Sequence, residues 1–211
     1  MRISTVVKAF LAVAAATPLL CQAESNVQTG AGTSSPGAQA RVDFMITIPK
    51  ILYLRVGAGS SYTTGSLVSN PAVDQITFAP SSANLGNGIG VAGGGGDLGT
   101  GIETAAVVSN SGNVTLNATA TGALSDGAGD SIPFSQITTA VSSLTSATAL
   151  PAPVLTNGTS ANVVLTAPAT KVIVQDAKWT YTYANSAIPP AGIYGGVNAN
   201  NSRVTYTATM P

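Results

Sequence analysis

Apolar and polar side chains alternate most clearly near the end of the chain, where two runs follow a two-residue period. The runs cover residues 179–183 and 203–210. Successive side chains of a strand point to opposite faces, so each run has one apolar face and one hydroxyl-rich face. The apolar faces consist of Trp179, Tyr181 and Tyr183, a candidate aromatic face, and of Val204, Tyr206, Ala208 and Met210. The second run therefore predicts a C-terminal core strand of a half-buried sheet.

The same period recurs earlier in the chain. Residues 42–48 place Val42, Phe44, Ile46 and Ile48 on one face. Pro49 interrupts this pattern before a second strand at residues 51–56. Further strands are predicted at residues 74–78, 132–137, 162–166 and 172–174, and a hairpin at residues 104–109 and 113–120. About eight to ten short strands predict an all-β, immunoglobulin-like antiparallel β-sandwich with Gly-rich loops.

Two segments allow other interpretations. Phe134, Ile137, Val141 and Leu144 also fit a helical stripe, although the intervening Ser and Thr residues favour a strand. Residues 85–101 are rich in glycine and predict a mobile loop, because glycine loses the most backbone entropy on ordering. They contain the spacing of a dinucleotide-binding fingerprint, but no helix is predicted after it. We therefore expect no cofactor.

The start of the chain predicts export. Arg2 and Lys8 precede a short apolar run, and Ala23 offers a cleavage site, so residues 1–23 are interpreted as a signal peptide. Lipid attachment at Cys21 is the alternative. Residues 24–40 are polar and predict a flexible tail, which leaves residues 41–211 as one β-sandwich domain. We expect a secreted protein, in the periplasm or on the cell surface of a bacterium, with no transmembrane segment after signal removal.

Composition excludes several chemistries. The chain has no histidine and one cysteine, which the signal peptide would remove. Catalysis by Ser-His-Asp or Cys-His groups, and metal sites built from His or Cys, are therefore excluded. Charged residues make up only 8% of the chain and the net charge is zero, so no nucleic acid partner is expected. We expect a protein that is not an enzyme.

The remaining polar candidates are carboxylates and aromatic rings. Five carboxylates are available for acid–base catalysis: Asp97, Glu103, Asp126, Asp130 and Asp176. Asp126 and Asp130 also allow a calcium hypothesis, although the loop lacks the ligand alternation of a specific calcium site. Trp179, Tyr181 and Tyr183 fit either a platform for sugars or a buried core, and burial of such rings is the larger gain.

The end of the chain resembles a known family. Ala191-Gly192-Ile193-Tyr194-Gly195-Gly196-Val197, followed by the alternating terminal strand, is similar to the end of bacterial fimbrial subunits of the cysteine-free α-type pilins assembled by the chaperone-usher route. The chain also resembles uncharacterised secreted β-sandwich proteins of proteobacteria. The fimbrial resemblance implies a structural surface protein that assembles through strands rather than by catalysis.

The resemblance also implies a role for residues 42–48. They would be the donor strand, with Val42, Phe44, Ile46 and Ile48 entering pockets of a neighbouring subunit. The implied partners are further copies of this chain, as a homo-oligomer, or a periplasmic chaperone and usher. Two alternatives remain. Residues 42–48 are the first strand of a self-complete monomer, or the protein is a secreted non-catalytic binding module, for example for carbohydrate.

Overall fold

The computed structural model describes residues 24–33, 35–57 and 67–211. They fall into two units, one ending at Ile48 and the other running Pro49–Pro211. The predicted signal peptide, including Cys21, lies outside the described residues. In the first unit, the described residues form neither helix nor strand. Residues 42–48 are thus not the first strand of a self-complete monomer.

The second unit is built from strands. Their bounds are β1 Leu52–Val56, β2 Ile76–Thr77, β3 Val91–Ala92, β4 Gly94–Gly95, β5 Ile102–Ser109, β6 Val114–Ala120, β7 Leu124–Ser125, β8 Ser131–Ile132, β9 Ile137–Ser142, β10 Val163–Leu165, β11 Ile173–Tyr183 and β12 Val204–Thr209. In the described part of the chain, the only helical element is the 3-10 turn Phe134–Gln136. The all-β prediction is confirmed, and the helical alternative around Val141 is wrong because this residue lies in β9.

Two antiparallel sheets face each other. The larger has the order β1-β5-β11, and both β3 and β9 also pair with β11; the smaller has the order β10-β6-β12. Thr182 pairs with Ala92 of β3 and with Thr138 of β9, so β3 continues the β5 side of β11. Two short pairs, β2-β4 and β7-β8, complete the described sheets. This arrangement is the sandwich that the alternation predicted.

The core lies between the two sheets. Most of it comes from alternate residues of β5, β6 and β11, and the buried cluster consists of Ala105, Val107, Val114, Leu116, Ala118, Ala120, Phe134, Leu150, Leu155, Leu165, Ile173, Ala177, Trp179 and Tyr181. Along β12, Val204, Tyr206, Ala208 and Met210 pack against this cluster, whereas the intervening threonines are exposed. The register predicted for the C-terminal strand is therefore the register that the fold uses.

The predicted hairpin of residues 104–109 and 113–120 is wrong. Both strands exist as β5 and β6, but β5 pairs with β1 and β11, and β6 pairs with β10 and β12. The Ser111-Gly112 connection crosses from one sheet to the other, and the Gly112 N–H donates to the Lys171 carbonyl at 3.0 Å. A turn signal between two apolar runs does not distinguish a hairpin from such a crossing.

Aromatic side chains join the two sheets. The Tyr181 and Tyr206 hydroxyls lie 2.8 Å apart, and the Trp179 and Tyr206 ring centroids lie 5.2 Å apart. The Trp179 indole N–H donates to the Leu150 carbonyl at 2.9 Å. Burial raises the pKa of both tyrosines, to about 12 for Tyr206. Both hydroxyls thus stay protonated at neutral pH, so that one can donate while the other accepts.

The Gly-rich segment 85–101 is more regular than the predicted loop. It contains β3 and β4, and Gly93 and Gly101 lie backbone to backbone at its crossing point. A Cβ atom added at Gly101 would lie 2.7 Å from the Gly93 Cα. Asn185, which is fully buried, holds the start of the segment by donating to the Asn84 carbonyl at 2.8 Å. Close backbone approach therefore explains two of the glycines.

A glycine substitution tests this crossing. Gly101→Ala should destabilise the protein by several kcal/mol, because the methyl group adds a steric clash to an unfavourable positive φ. Gly99→Ala is the matched control: its φ is also positive, but no atom lies within 4 Å of the added Cβ, so about 1–2 kcal/mol is expected. Urea unfolding measures both, and equal midpoints would contradict the crossing.

The register of β12 is tested by two neighbouring substitutions. Tyr206→Asp removes the ring beside Trp179 and buries a carboxylate, so the loss should be several kcal/mol, comparable with the whole stability of a domain. Thr205→Asp adds the same charge on the exposed face and should change stability by less than about 1 kcal/mol. Chemical denaturation of both variants checks this, and a reversed order would mean that β12 is shifted by one residue.

Candidate functional site

The 42–48 segment presents an unpartnered apolar face. Phe44 is 89% exposed and Ile46 is 84% exposed, and Val42 and Ile48 are similarly open. Just before it, the Arg41 guanidinium contacts the Glu24 carboxylate at 2.8 Å, with both side chains exposed. Large apolar side chains this open to water are unusual when several of them lie close together in one short segment. The segment is therefore the first candidate for a functional site.

Two of the edge strands of the second unit, β1 and β12, contact each other. Among the described strands, β1 pairs only with β5 and β12 pairs only with β6. The inward side chains of both strands pack against the core but are only partly buried; they are Leu52, Leu54, Val56, Val204, Tyr206, Ala208 and Met210. The outer edge of β12 also carries main-chain groups that an added strand can pair with.

The candidate aromatic face is not on the surface. Trp179 is 0% exposed, and Tyr181 and Tyr183 are also buried. Their rings contact other rings of the core, as in the Phe78–Tyr183 pair with centroids 6.1 Å apart. These side chains form core, as their burial energy favours, and they offer no platform on which a sugar can stack.

A carboxyl network lies where β1 ends and β5 begins. The Asp97 carboxylate accepts the Thr104 N–H at 2.8 Å and the Thr104 hydroxyl, and it contacts the Arg55 guanidinium at 3.3 Å. Glu103 is almost fully buried and accepts the Asp97 N–H at 3.3 Å. Asp74 forms a hydrogen bond with Glu103. Asp74 was not among the carboxylates that the sequence indicated as candidates.

One carboxyl group of the network also keeps its proton. Burial raises the pKa of Glu103 to about 8, the hydrogen bond with Asp74 and the charges of Asp74 and Asp97 act in the same direction, and the Asp97 N–H opposes them. At neutral pH Glu103 is therefore protonated and donates to Asp74. Gly57 packs directly against the Glu103–Asp74 pair, since a Cβ atom added at Gly57 would lie 2.7 Å from the Glu103 carboxyl group.

The three carboxyl groups have the spacing of an oxygen site for a hard cation. One oxygen of each lies within 4.8 Å of the others. However, the Arg55 guanidinium supplies positive charge to Asp97, and the Glu103 proton occupies the contact with Asp74. These contacts already satisfy the carboxyl groups, so the network is accounted for as a structural connection between β1, β5 and the Gly-rich segment.

The other carboxylates are separate. One oxygen of Asp126 accepts the N–H groups of Ala128, Gly129 and Asp130 at 2.8, 3.1 and 3.0 Å. These bonds, the one from Ala128 first, lower the pKa of Asp126. Converging N–H donors repel a cation at that oxygen, so the calcium hypothesis loses its principal ligand. The loop is an ordinary turn closed by its own backbone.

Asp176 connects β11 to the segment that follows β9. Burial opposes its ionisation, but the Thr145 hydroxyl and the N–H groups of Thr145 and Ser146 outweigh burial and lower its pKa. The Asp176 N–H donates in turn to the Ser146 hydroxyl oxygen at 2.8 Å. The structure thus brings Asp97 and Glu103 together and leaves Asp126, Asp130 and Asp176 outside that network.

No protein-family model, curated protein or solved structure matches the chain. In the part of the chain that the structure describes, no helix has the length and apolarity needed to cross a membrane. Functional inference therefore rests on the exposed segment and the outer edge of β12.

The raised pKa of Glu103 predicts how stability depends on pH. Between about pH 4.5 and pH 8 the unfolded chain loses this proton while the folded protein keeps it, so stability should fall as pH rises through this window. Glu103→Gln retains one acceptor and one donor but does not titrate, and it should flatten the curve. Glu24→Gln, in the first unit, is the control and should leave the slope unchanged.

Urea midpoints at about pH 5 and pH 8 measure this slope. A wild-type slope that persists in Glu103→Gln would show that another group causes it.

Proposed function

We propose that this protein is an exported structural subunit that assembles through strand donation, without catalysis. The observation that carries the proposal is the exposure of Val42, Phe44, Ile46 and Ile48, four large apolar side chains at alternate positions of a segment that forms no strand of its own. These side chains alternate with Asp43, Met45 and Thr47, so an extended conformation collects them on one face. A segment of this kind is suited to enter a sheet of a neighbouring molecule.

Burial supplies the driving force. A fully buried Val, Ile or Phe side chain gains about 1.5–3 kcal/mol relative to an exposed one, so four together offset much of the cost of ordering the segment, about 1–2 kcal/mol per residue for the backbone. Main-chain hydrogen bonds to an open strand edge add directional pairing. In the isolated chain these gains are unrealised, which favours association with a second molecule.

The outer edge of β12 supports the acceptor side of the proposal. At about 3.3 Å per residue the 42–48 segment spans about 23 Å, close to the length of β12. The side chains next to this edge are only partly buried, so an added strand would cover apolar surface as well as pair with the backbone. A self-propagating array follows when each subunit both donates and accepts.

Export and partners complete the proposal. The signal-peptide pattern of residues 1–23 supports delivery to the periplasm or the cell surface of a bacterium. There the partners are other copies of this chain, or a periplasmic chaperone that occupies the open edge before an usher directs assembly. Covering an open edge before assembly prevents uncontrolled aggregation.

A pair of substitutions in the full-length exported protein tests strand donation. Ile46→Asp places a charge on the apolar face and should abolish ladders of polymers that resist mild denaturation, because a buried charge opposes insertion. Thr47→Asp is the matched control on the opposite face and should retain the ladder. Gel electrophoresis without boiling separates these outcomes.

Wild-type protein that remains monomeric at high concentration would overturn the proposal. Ladders of equal strength in Ile46→Asp and Thr47→Asp would show that the apolar face of the segment does not drive assembly.

A further inference from the structure

The junction next to the 42–48 segment is held by a side chain. The backbone ladder between β1 and β5 ends at the Leu52–Ser109 pair. One residue further, the side chain of Asn110 continues it. Its Oδ1 accepts the Ile51 N–H at 2.9 Å, and its Nδ2 donates to the Pro49 carbonyl at 2.8 Å.

This arrangement suits the chemistry of the residues present. A side-chain amide carries a donor and an acceptor in one plane, as a peptide group does, so it can substitute for a strand neighbour. Pro49 has no N–H, but its carbonyl still accepts. Lys50, between the two bonded residues, donates through Nζ to the Pro211 carbonyl at 3.0 Å. The start of the second unit is therefore tied both to the end of β5 and to the end of the chain.

We propose that Asn110 is a positioning residue. It anchors residues 49–51, the root of the donor segment, and thereby sets the spacing between consecutive subunits. The inference rests on the proposed function. Ile48, the last pocket residue of the donor, directly precedes the anchored Pro49. With the root fixed, no slack remains between the inserted strand and the domain that supplies it.

A fixed length of the connection between the donor strand and its own domain matters because strand addition is sensitive to register. A slip of one residue turns the apolar face away from its pockets, and a slip of two residues changes the distance between neighbouring domains. A loose root would permit the second kind of slip at little cost. The Asn110 amide prevents it without adding any contact to the donor face itself.

Trypsin tests the anchor directly, because the chain offers Arg41 and Lys50 as cleavage sites on either side of the segment. In Asn110→Ala, cleavage after Lys50 should increase roughly tenfold relative to cleavage after Arg41, since loss of two hydrogen bonds raises the open population. Asn110→Asp keeps the acceptor and loses the donor, and should give an intermediate ratio. Asn113→Ala removes a comparable bond, to the Ala167 N–H at 2.9 Å, and should leave the ratio unchanged.

Electron microscopy of assembled material tests the consequence. Asn110→Ala polymers should show a broader distribution of subunit spacing than wild type or Asn113→Ala polymers, a change that a general loss of stability would not produce. An unchanged spacing, or an unchanged trypsin ratio, would overturn the inference while the polymers themselves uphold strand donation. Absence of polymers in the wild type would overturn the proposed function and the spacing role together.

Discussion

The fold depends on the contact between the two sheets at Tyr206. Its ring lies against Trp179 and its hydroxyl bonds that of Tyr181, so one side chain of the last strand meets two of the longest strand. A single cysteine cannot form a disulfide within the chain, so packing of this kind must hold the sheets together. Buried aromatic pairs contribute beyond the area that they cover, and a shared hydroxyl bond avoids two unsatisfied polar groups.

That contact also explains why the C-terminal part was predictable. The faces of β11 and β12 follow from alternation alone, because a half-buried strand has only two possible faces. The pairing of β5 and β6 with strands of different sheets was not predictable in the same way. Both strands were recognised, but pairing depends on partners far along the chain, such as β11 and β12, and a local turn signal contains no information about them.

The carboxyl network shows a similar limit. Asp97 and Glu103 were candidates as carboxylates available for acid–base catalysis, and they do meet. Asp74 and Arg55 join them only because β1, β2 and the Gly-rich segment converge in space. No spacing rule in the sequence connects these residues. The anchoring role of Asn110 was equally hidden, since asparagine after a strand ordinarily indicates a turn.

The contact between Gly93 and Gly101 has a consequence for engineering. Because the backbone meets itself there, the residues between form a loop whose ends are already closed, and lengthening such a loop adds little closure entropy. Gly99 lies in open space within it. A foreign peptide inserted at this point should therefore cost the sandwich little stability, which makes this loop a place to display an added sequence.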